Sequence, residues 1–176
     1  LGGVVSVAVF LLHGAVFLSM KLEGDLRTKV EALAHKLWLP VFILVILLAI
    51  ATVFFTGYQE RVSALEGIIP LASLAALLLA GVVIRRRKNG WAFILTGLNI
   101  VLAQATFFMI IFPQVMISNT DSNFSLDIWN AASSPYTLRV MTIVAAIFVP
   151  IVLGYQAYTY WIFRKRVSTD KSKLVY

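Results

Sequence analysis

The sequence contains no cysteine, and this absence excludes disulfide bonds and cysteine-ligated zinc or iron–sulfur centres from the chain. Charged residues are also scarce, at 13% of the chain, whereas hydrophobic residues make up 60%. This composition is far too apolar for an ordinary water-soluble domain of 176 residues. The chain is therefore predicted to have the lipid bilayer as its main solvent.

Most of the hydrophobic residues fall into five long runs, and about 20 such residues are enough to cross a bilayer core as a helix. The runs are continuous, whereas the strands of a membrane β-barrel alternate apolar and polar residues. We predict an all-α integral membrane fold of about five transmembrane helices in one bundle, part of a larger polytopic subunit whose further helices precede Leu1. The predicted spans are residues 1–20, 37–56, 68–84, 91–112 and 140–163.

Lysine and arginine collect after the first, third and fifth spans, where thirteen of the fifteen basic residues lie. Because basic residues in short loops mark the cytoplasmic side, the start of the chain and the loop 113–139 are expected outside, and the tail 164–176 in the cytoplasm. These basic residues account for the net charge of +7, and they are expected to attract anionic lipid at the ends of the spans. No nucleic-acid partner is expected.

His13 is the one side chain inside a predicted span that titrates near neutral pH. It fits three interpretations: an axial haem ligand, a proton-relay or quinone-related group, or a neutral imidazole hydrogen-bonded within the bundle. A haem between two histidines needs a partner at similar depth, and the other histidine, His35, lies next to Lys36 at the membrane edge. The spans contain no acidic residue, which argues against proton-coupled transport through this segment.

Two further polar residues, Asn99 and Gln104, lie in the fourth span. They are five positions apart, a rotation of about 140° around a helix, so they occupy different faces. Each is expected either to hydrogen-bond between helices or to contribute to a polar pathway. Phosphate-binding loops, nucleophile motifs and metal-spaced histidine pairs are absent from the sequence. The residues alone therefore leave open an enzyme subunit, half of a secondary transporter or channel, or a membrane anchor.

The last outer loop and helix read FSLDIWNAASSPYTLRVMTIVAAIFVPIVLGY. This stretch resembles the terminal region of subunit II of cytochrome bd quinol oxidases, with its W-[DN]-A-[AST]-S-S motif, then T-L-x-V-M and V-P-I. Two other segments fit the same family: GGVVSVAVFLLHGAVFLSMKLEGDLRTK and KNGWAFILTGLNIVLAQATFFMIIFPQVM. The matching residues of the terminal motif are Trp129, Asn130, Ala131, Ser133, Ser134, Thr137, Leu138, Val140, Met141, Val149, Pro150 and Ile151.

The resemblance implies a haem-free subunit of a bacterial plasma-membrane enzyme that oxidises quinol and reduces dioxygen to water. It implies that haem b, haem d and the quinol site lie on the partner, subunit I, and that a small accessory membrane subunit also attaches. This chain would serve assembly, the subunit interface and part of a proton or oxygen path. We expect no catalytic, cofactor or metal-binding residue in it. The residues expected to have a proton-path or interface role are His13, Asn99, Gln104 and Trp129.

Overall fold

The computed structural model describes residues 1–55, 67–118 and 121–165. Within these residues, five helices are long and apolar enough to cross a membrane. This confirms the predicted all-α membrane fold, which suits a segment whose backbone polar groups must be satisfied without water. The helices are α1 (Gly2–Lys21), α2 (Gly24–Phe55), α3 (Ile68–Arg85), α4 (Asn89–Ile111) and α5 (Pro135–Ile162).

The described residues form two compact units. The first holds the chain up to Ile110, and the second runs from Ile111 to Lys165. Two predicted segments lie outside the described residues: most of the outer connection between the second and third spans, and all but the first two residues of the tail 164–176. The orientation of the helices across the membrane stays a prediction.

The helix α2 begins 13 residues before the span predicted at 37–56. Residues 21–36 do not continue the first helix, because α1 ends at Lys21 and Gly24 adopts a left-handed φ of 64° at the turn. These residues therefore lengthen the second helix instead. With 32 residues, α2 is about 48 Å long, so it extends well beyond a hydrocarbon core of about 30 Å.

The core of the first unit lies where α1 packs against α2 and α2 packs against α3. Its side chains are mainly aliphatic, and the outer surfaces of the same helices carry exposed residues such as Val7 and Leu47. Exposed apolar side chains are expected where the solvent is lipid. The core includes Leu12, Val16, Val41, Leu77, Ile84 and Ala92.

Helices α2 and α3 approach each other closely at Trp38 and Gly81. The indole Nε1–H of Trp38 donates a hydrogen bond to the carbonyl of Leu77, with an N···O distance of 2.9 Å. A Cβ atom built on Gly81 would overlap the same ring. The missing side chain at Gly81 is therefore what lets the indole reach the backbone of α3.

The second unit begins with a small hairpin inside the loop predicted at 113–139. Strand β1 (Gln114–Met116) pairs antiparallel with β2 (Leu126–Asp127). A 3₁₀ turn, Ser122–Phe124, lies between the strands. This part of the predicted loop is therefore locally folded.

Helix α5 starts at Pro135, five residues before the predicted span. The hydroxyl of Ser134 caps it by accepting a hydrogen bond from the backbone N–H of Thr137 at 3.3 Å. Proline suits the first helical position because its missing N–H has no partner there in any case. The S-S-P-x-T part of the terminal motif is thus a helix start.

Candidate functional site

His13 of α1 contacts α4 through both its ring edge and its ring face. Its Nδ1 lies 2.8 Å from Thr96 Oγ1. Its ring stacks on Phe93, with centroids 4.6 Å apart and planes inclined by 24°. Both partners are on α4, so His13 joins two helices that are distant in the sequence.

The hydroxyl of Thr96 also lies close to two carbonyls of its own helix, 2.9 Å from Ala92 O and 3.1 Å from Phe93 O. A hydroxyl has one proton but two lone pairs. When Thr96 donates to Ala92, it accepts from a neutral His13 that carries its proton on Nδ1. When it donates to His13, Nδ1 is the acceptor. Both arrangements suit an uncharged imidazole.

A second polar contact joins α3 and α4 at Ser73 and Asn99, which are 5% and 1% exposed. The amide Nδ2–H₂ of Asn99 donates to the backbone carbonyl of Ser73 at 3.0 Å and to its Oγ at 2.9 Å. The hydroxyl of Ser73 lies 3.2 Å from the carbonyl of Asn99, to which it donates. The pair is reciprocal, and it engages the Asn99 amide nitrogen and the Ser73 hydroxyl within a low-dielectric region.

Within the first unit, the predicted residues have separate partners: His13 contacts Thr96 and Asn99 contacts Ser73. Gln104 is exposed, on a different face of α4 from Asn99. Trp129 belongs to the second unit, and its side chain is 71% exposed. Their proton-path or interface roles stay predictions.

The turn that carries Trp129 is held by Asp127. The Oδ1 of Asp127 accepts hydrogen bonds from the backbone N–H groups of Trp129 at 2.9 Å and Asn130 at 2.6 Å. In return, Asn130 Oδ1 accepts from the backbone N–H of Asp127 at 2.8 Å. These bonds fix the backbone on both sides of Trp129 and leave its indole exposed at the surface of the unit. The D-I-W-N part of the motif is therefore a turn that displays an aromatic side chain.

A charged cluster in the polar extension of α2, before its apolar part begins at residue 37, was not predicted from the sequence. The Oε1 of Glu31 accepts from Arg27 Nε at 2.9 Å and from Asn89 Nδ2 at 2.7 Å. Burial alone would raise the pKa of the Glu31 carboxyl. The two hydrogen bonds and the positive charges of Arg27 and Arg87 outweigh burial and hold this pKa below its usual value. Glu31 is therefore ionised at neutral pH and ties α2 to the start of α4.

Sequence reasoning also missed Ser73, although it singled out Asn99. Ser73 lies in a run of small residues, LASLAALLLAG, that reads as simple close packing. The structure shows that Ser73 faces Asn99 across α3 and α4. Whether these two side chains face each other depends on how the helices rotate about their axes, which the sequence pattern does not reveal.

The described residues offer little to a metal or a haem. Among them, no group of three or more His, Cys, Asp or Glu side chains comes together to hold a metal ion. His35, the other histidine of the chain, is exposed on the polar extension of α2 and not within an apolar run. The apolar runs therefore offer no second histidine for a haem held between two histidines of this chain. The pairs His13–Thr96 and Ser73–Asn99 instead tie helices of the first unit together.

Comparison with known proteins connects these features to one family. The family model for cytochrome bd terminal oxidase subunit II matches residues 1–163. The chain is 38% identical to cytochrome bd ubiquinol oxidase subunit 2 of Bacillus subtilis over 170 residues, which cover 96% of this chain and 50% of the relative. It is 30% identical to cytochrome bd-I ubiquinol oxidase subunit 2 of Escherichia coli K12 over an alignment of 199 positions, gaps included. This alignment covers 97% of this chain and 52% of the relative.

A more distant relative is the probable cytochrome oxidase subunit 2 of Haemophilus influenzae, 27% identical over 186 residues that cover 90% of this chain and 49% of the relative. The chain thus spans about half the length of the curated relatives that it matches. The resemblance found in the sequence motifs is confirmed. With its five apolar helices in the matched region, this chain belongs to the cytochrome bd terminal oxidase subunit II family.

Proposed function

We propose that this chain is part of the haem-free subunit of a quinol-oxidising terminal oxidase, where it supports subunit I and helps to assemble the complex. The observation that carries this proposal is the use of the polar residues inside its apolar helices. His13 is held by Thr96, and Asn99 is held by Ser73, so both join helices of the same chain. Groups committed to such contacts stabilise a scaffold.

The haems and the quinol site are assigned, under this proposal, to subunit I. Cytochromes are haem proteins, and the described residues of this chain do not offer two histidines that could ligate a haem together. The ends rich in lysine and arginine would face the cytoplasm, with the loop 113–139 outside. A small accessory membrane subunit and membrane lipid would complete the assembly.

An optical spectrum of the complex purified through this subunit tests the assignment. After reduction with dithionite, a haem d band far to the red of the b-type haem bands, together with a second large subunit, would support it. A colourless preparation from intact membranes would contradict it and favour half of a transporter or channel.

Replacing His13 by glutamine tests the scaffold role itself. Glutamine can still exchange a hydrogen bond with Thr96 but cannot gain and lose a proton near neutral pH. We expect oxygen consumption within about twofold of the parent enzyme, because removal of a true proton-transfer group costs about a hundredfold or more. Thr96→Val is the matched control, since it removes the same contact from the α4 side. A loss above about tenfold in His13→Gln alone, with haem content unchanged, would show that His13 transfers protons.

A further inference from the structure

A cleft of about 360 Å³ opens at the end of the first unit, where the polar extension of α2 meets the turn between α3 and α4. Its volume lies within the range of about 300 to 1,000 Å³ that is typical of ligand sites. The floor is formed by buried residues, including Val16, Ser19 and Ile84. The rim carries the exposed side chains of Lys36 and Arg87.

The charge of this cleft favours an anion. Glu31 is its one acidic lining residue, but the carboxylate already accepts from Arg27 and Asn89, and the side chain is only 15% exposed. The other charged lining residues, Lys36 and Arg87, are cations with several donors each. Further basic residues follow on the same segments: Lys29, Arg85, Arg86 and Lys88.

Arg87 has a backbone conformation that is unusual for a residue with a side chain. Arg87 has a φ of 54°, in the left-handed region that glycine occupies most easily. The turn has the Schellman pattern: Lys88 N–H donates to Val83 O at 3.2 Å and Arg87 N–H to Ile84 O at 3.0 Å. Glycine is the usual residue at this position. An arginine in a conformation that penalises side chains, at the rim of a cleft, favours a role for the guanidinium there, and its charge also acts on Glu31.

We propose that this cleft binds the phosphodiester headgroup of an anionic phospholipid. Lys36 immediately precedes the apolar part of α2, so the rim cations lie at the headgroup level of the bilayer, and the apolar floor continues toward the hydrocarbon region. Basic pockets between membrane helices are suited to such headgroups. A soluble phosphate would gain nothing from an apolar floor. This proposal depends on the membrane location and not on the oxidase function.

The test uses the complete subunit in its native complex, purified in detergent, delipidated and titrated with phosphatidylglycerol. Native mass spectrometry counts the bound lipids. The cleft variants are Arg87→Gly and Lys36→Gln. The matched controls are Arg86→Gln and Lys29→Gln, which remove the same charge from residues that do not line the cleft.

We expect each cleft variant to weaken the tightest phosphatidylglycerol site about tenfold, because a hydrogen bond to a charged group contributes that much. Each control should weaken it less than about threefold through screened, long-range charge alone. Arg87→Gly should also keep or raise the melting temperature, since glycine fits the left-handed turn. A lost fold therefore cannot explain lost binding.

Three results would overturn the proposal. The first is equal weakening in cleft and control variants, which would show a diffuse electrostatic effect. The second is equal affinity for phosphatidylcholine, which would remove the preference for anionic lipid. The third is displacement of the lipid by glycerol 3-phosphate at comparable concentration, which would make a soluble phosphate the ligand.

Discussion

Replacement of Gly81 by alanine adds one methyl group at the tightest contact between α2 and α3. The new Cβ would overlap the Cε2, Cζ2 and Nε1 atoms of the Trp38 indole. To avoid it, the ring must turn away, which breaks its 2.9 Å hydrogen bond to Leu77 O. The ring would also lose its stacked position on Phe42, whose centroid lies 5.5 Å away.

The expected cost follows from three effects of different sign. Overpacking a filled site costs about 1 to 3 kcal/mol. Loss of the indole hydrogen bond adds about 0.5 to 1.5 kcal/mol. Alanine favours the helix over glycine by about 1 kcal/mol, which offsets part of this. We therefore expect the free energy of unfolding to fall by about 0.5 to 3.5 kcal/mol.

The assay is a denaturation curve of the complete subunit in its complex, followed by tryptophan fluorescence. Gly14→Ala is the matched control, because its Cβ would have no atom within 4 Å. Trp38→Phe provides a second variant whose smaller ring leaves room at Gly81. In that background, Gly81→Ala should cost at least about 1 kcal/mol less than in the parent. An equal cost in both backgrounds, or no cost in the parent, would refute the packing argument.

Two other perturbations probe the polar contacts. Asn99→Leu should lower the free energy of unfolding by about 1 kcal/mol, the upper part of the range measured for hydrogen bonds between membrane helices. Adding Ser73→Ala should lower it by about a further 0.5 kcal/mol, because the Ser73 hydroxyl donates to the backbone carbonyl of residue 99, which leucine keeps; no further loss in the denaturation curves would contradict this. Asp127→Ala should raise the hydrogen-exchange rate of the Trp129 amide about fivefold, since a net contribution of about 1 kcal/mol is lost. Asp121→Ala, which frees a different amide of the hairpin, should leave Trp129 unchanged.

The helices of this chain could be predicted because long charge-free runs have few alternatives in lipid. The run predicted at 91–112 is helix Asn89–Ile111 in the structure. The polar extension of α2 could not be assigned in the same way. Its charges allow an i,i+4 pair either at Glu23 and Arg27 or at Arg27 and Glu31, and the second is the pair that forms. The turn at Gly24 decides between them, and composition does not encode it.

Only one residue of each polar contact between helices could be predicted from the sequence. His13 and Asn99 stand out because a polar residue in an apolar span needs a partner. Their partners, Thr96 and Ser73, depend on how the helices rotate about their axes, and hydroxyl residues can also satisfy themselves on their own helix. Thr96 does both. Single-residue patterns therefore locate the need for a contact but not its other member.

The contact between His13 and Thr96 also bears on how the chain enters the membrane. The two residues are 83 positions apart, so at about 5 to 20 residues per second the ribosome makes Thr96 about 4 to 17 s after His13. During that interval the imidazole has to keep water, a headgroup or the insertion machinery as its partner, because an unpaired polar group in hydrocarbon costs several kcal/mol. We therefore expect α1 to stay near the insertion site until α4 arrives, and the helices of the first unit to enter the lipid as a group.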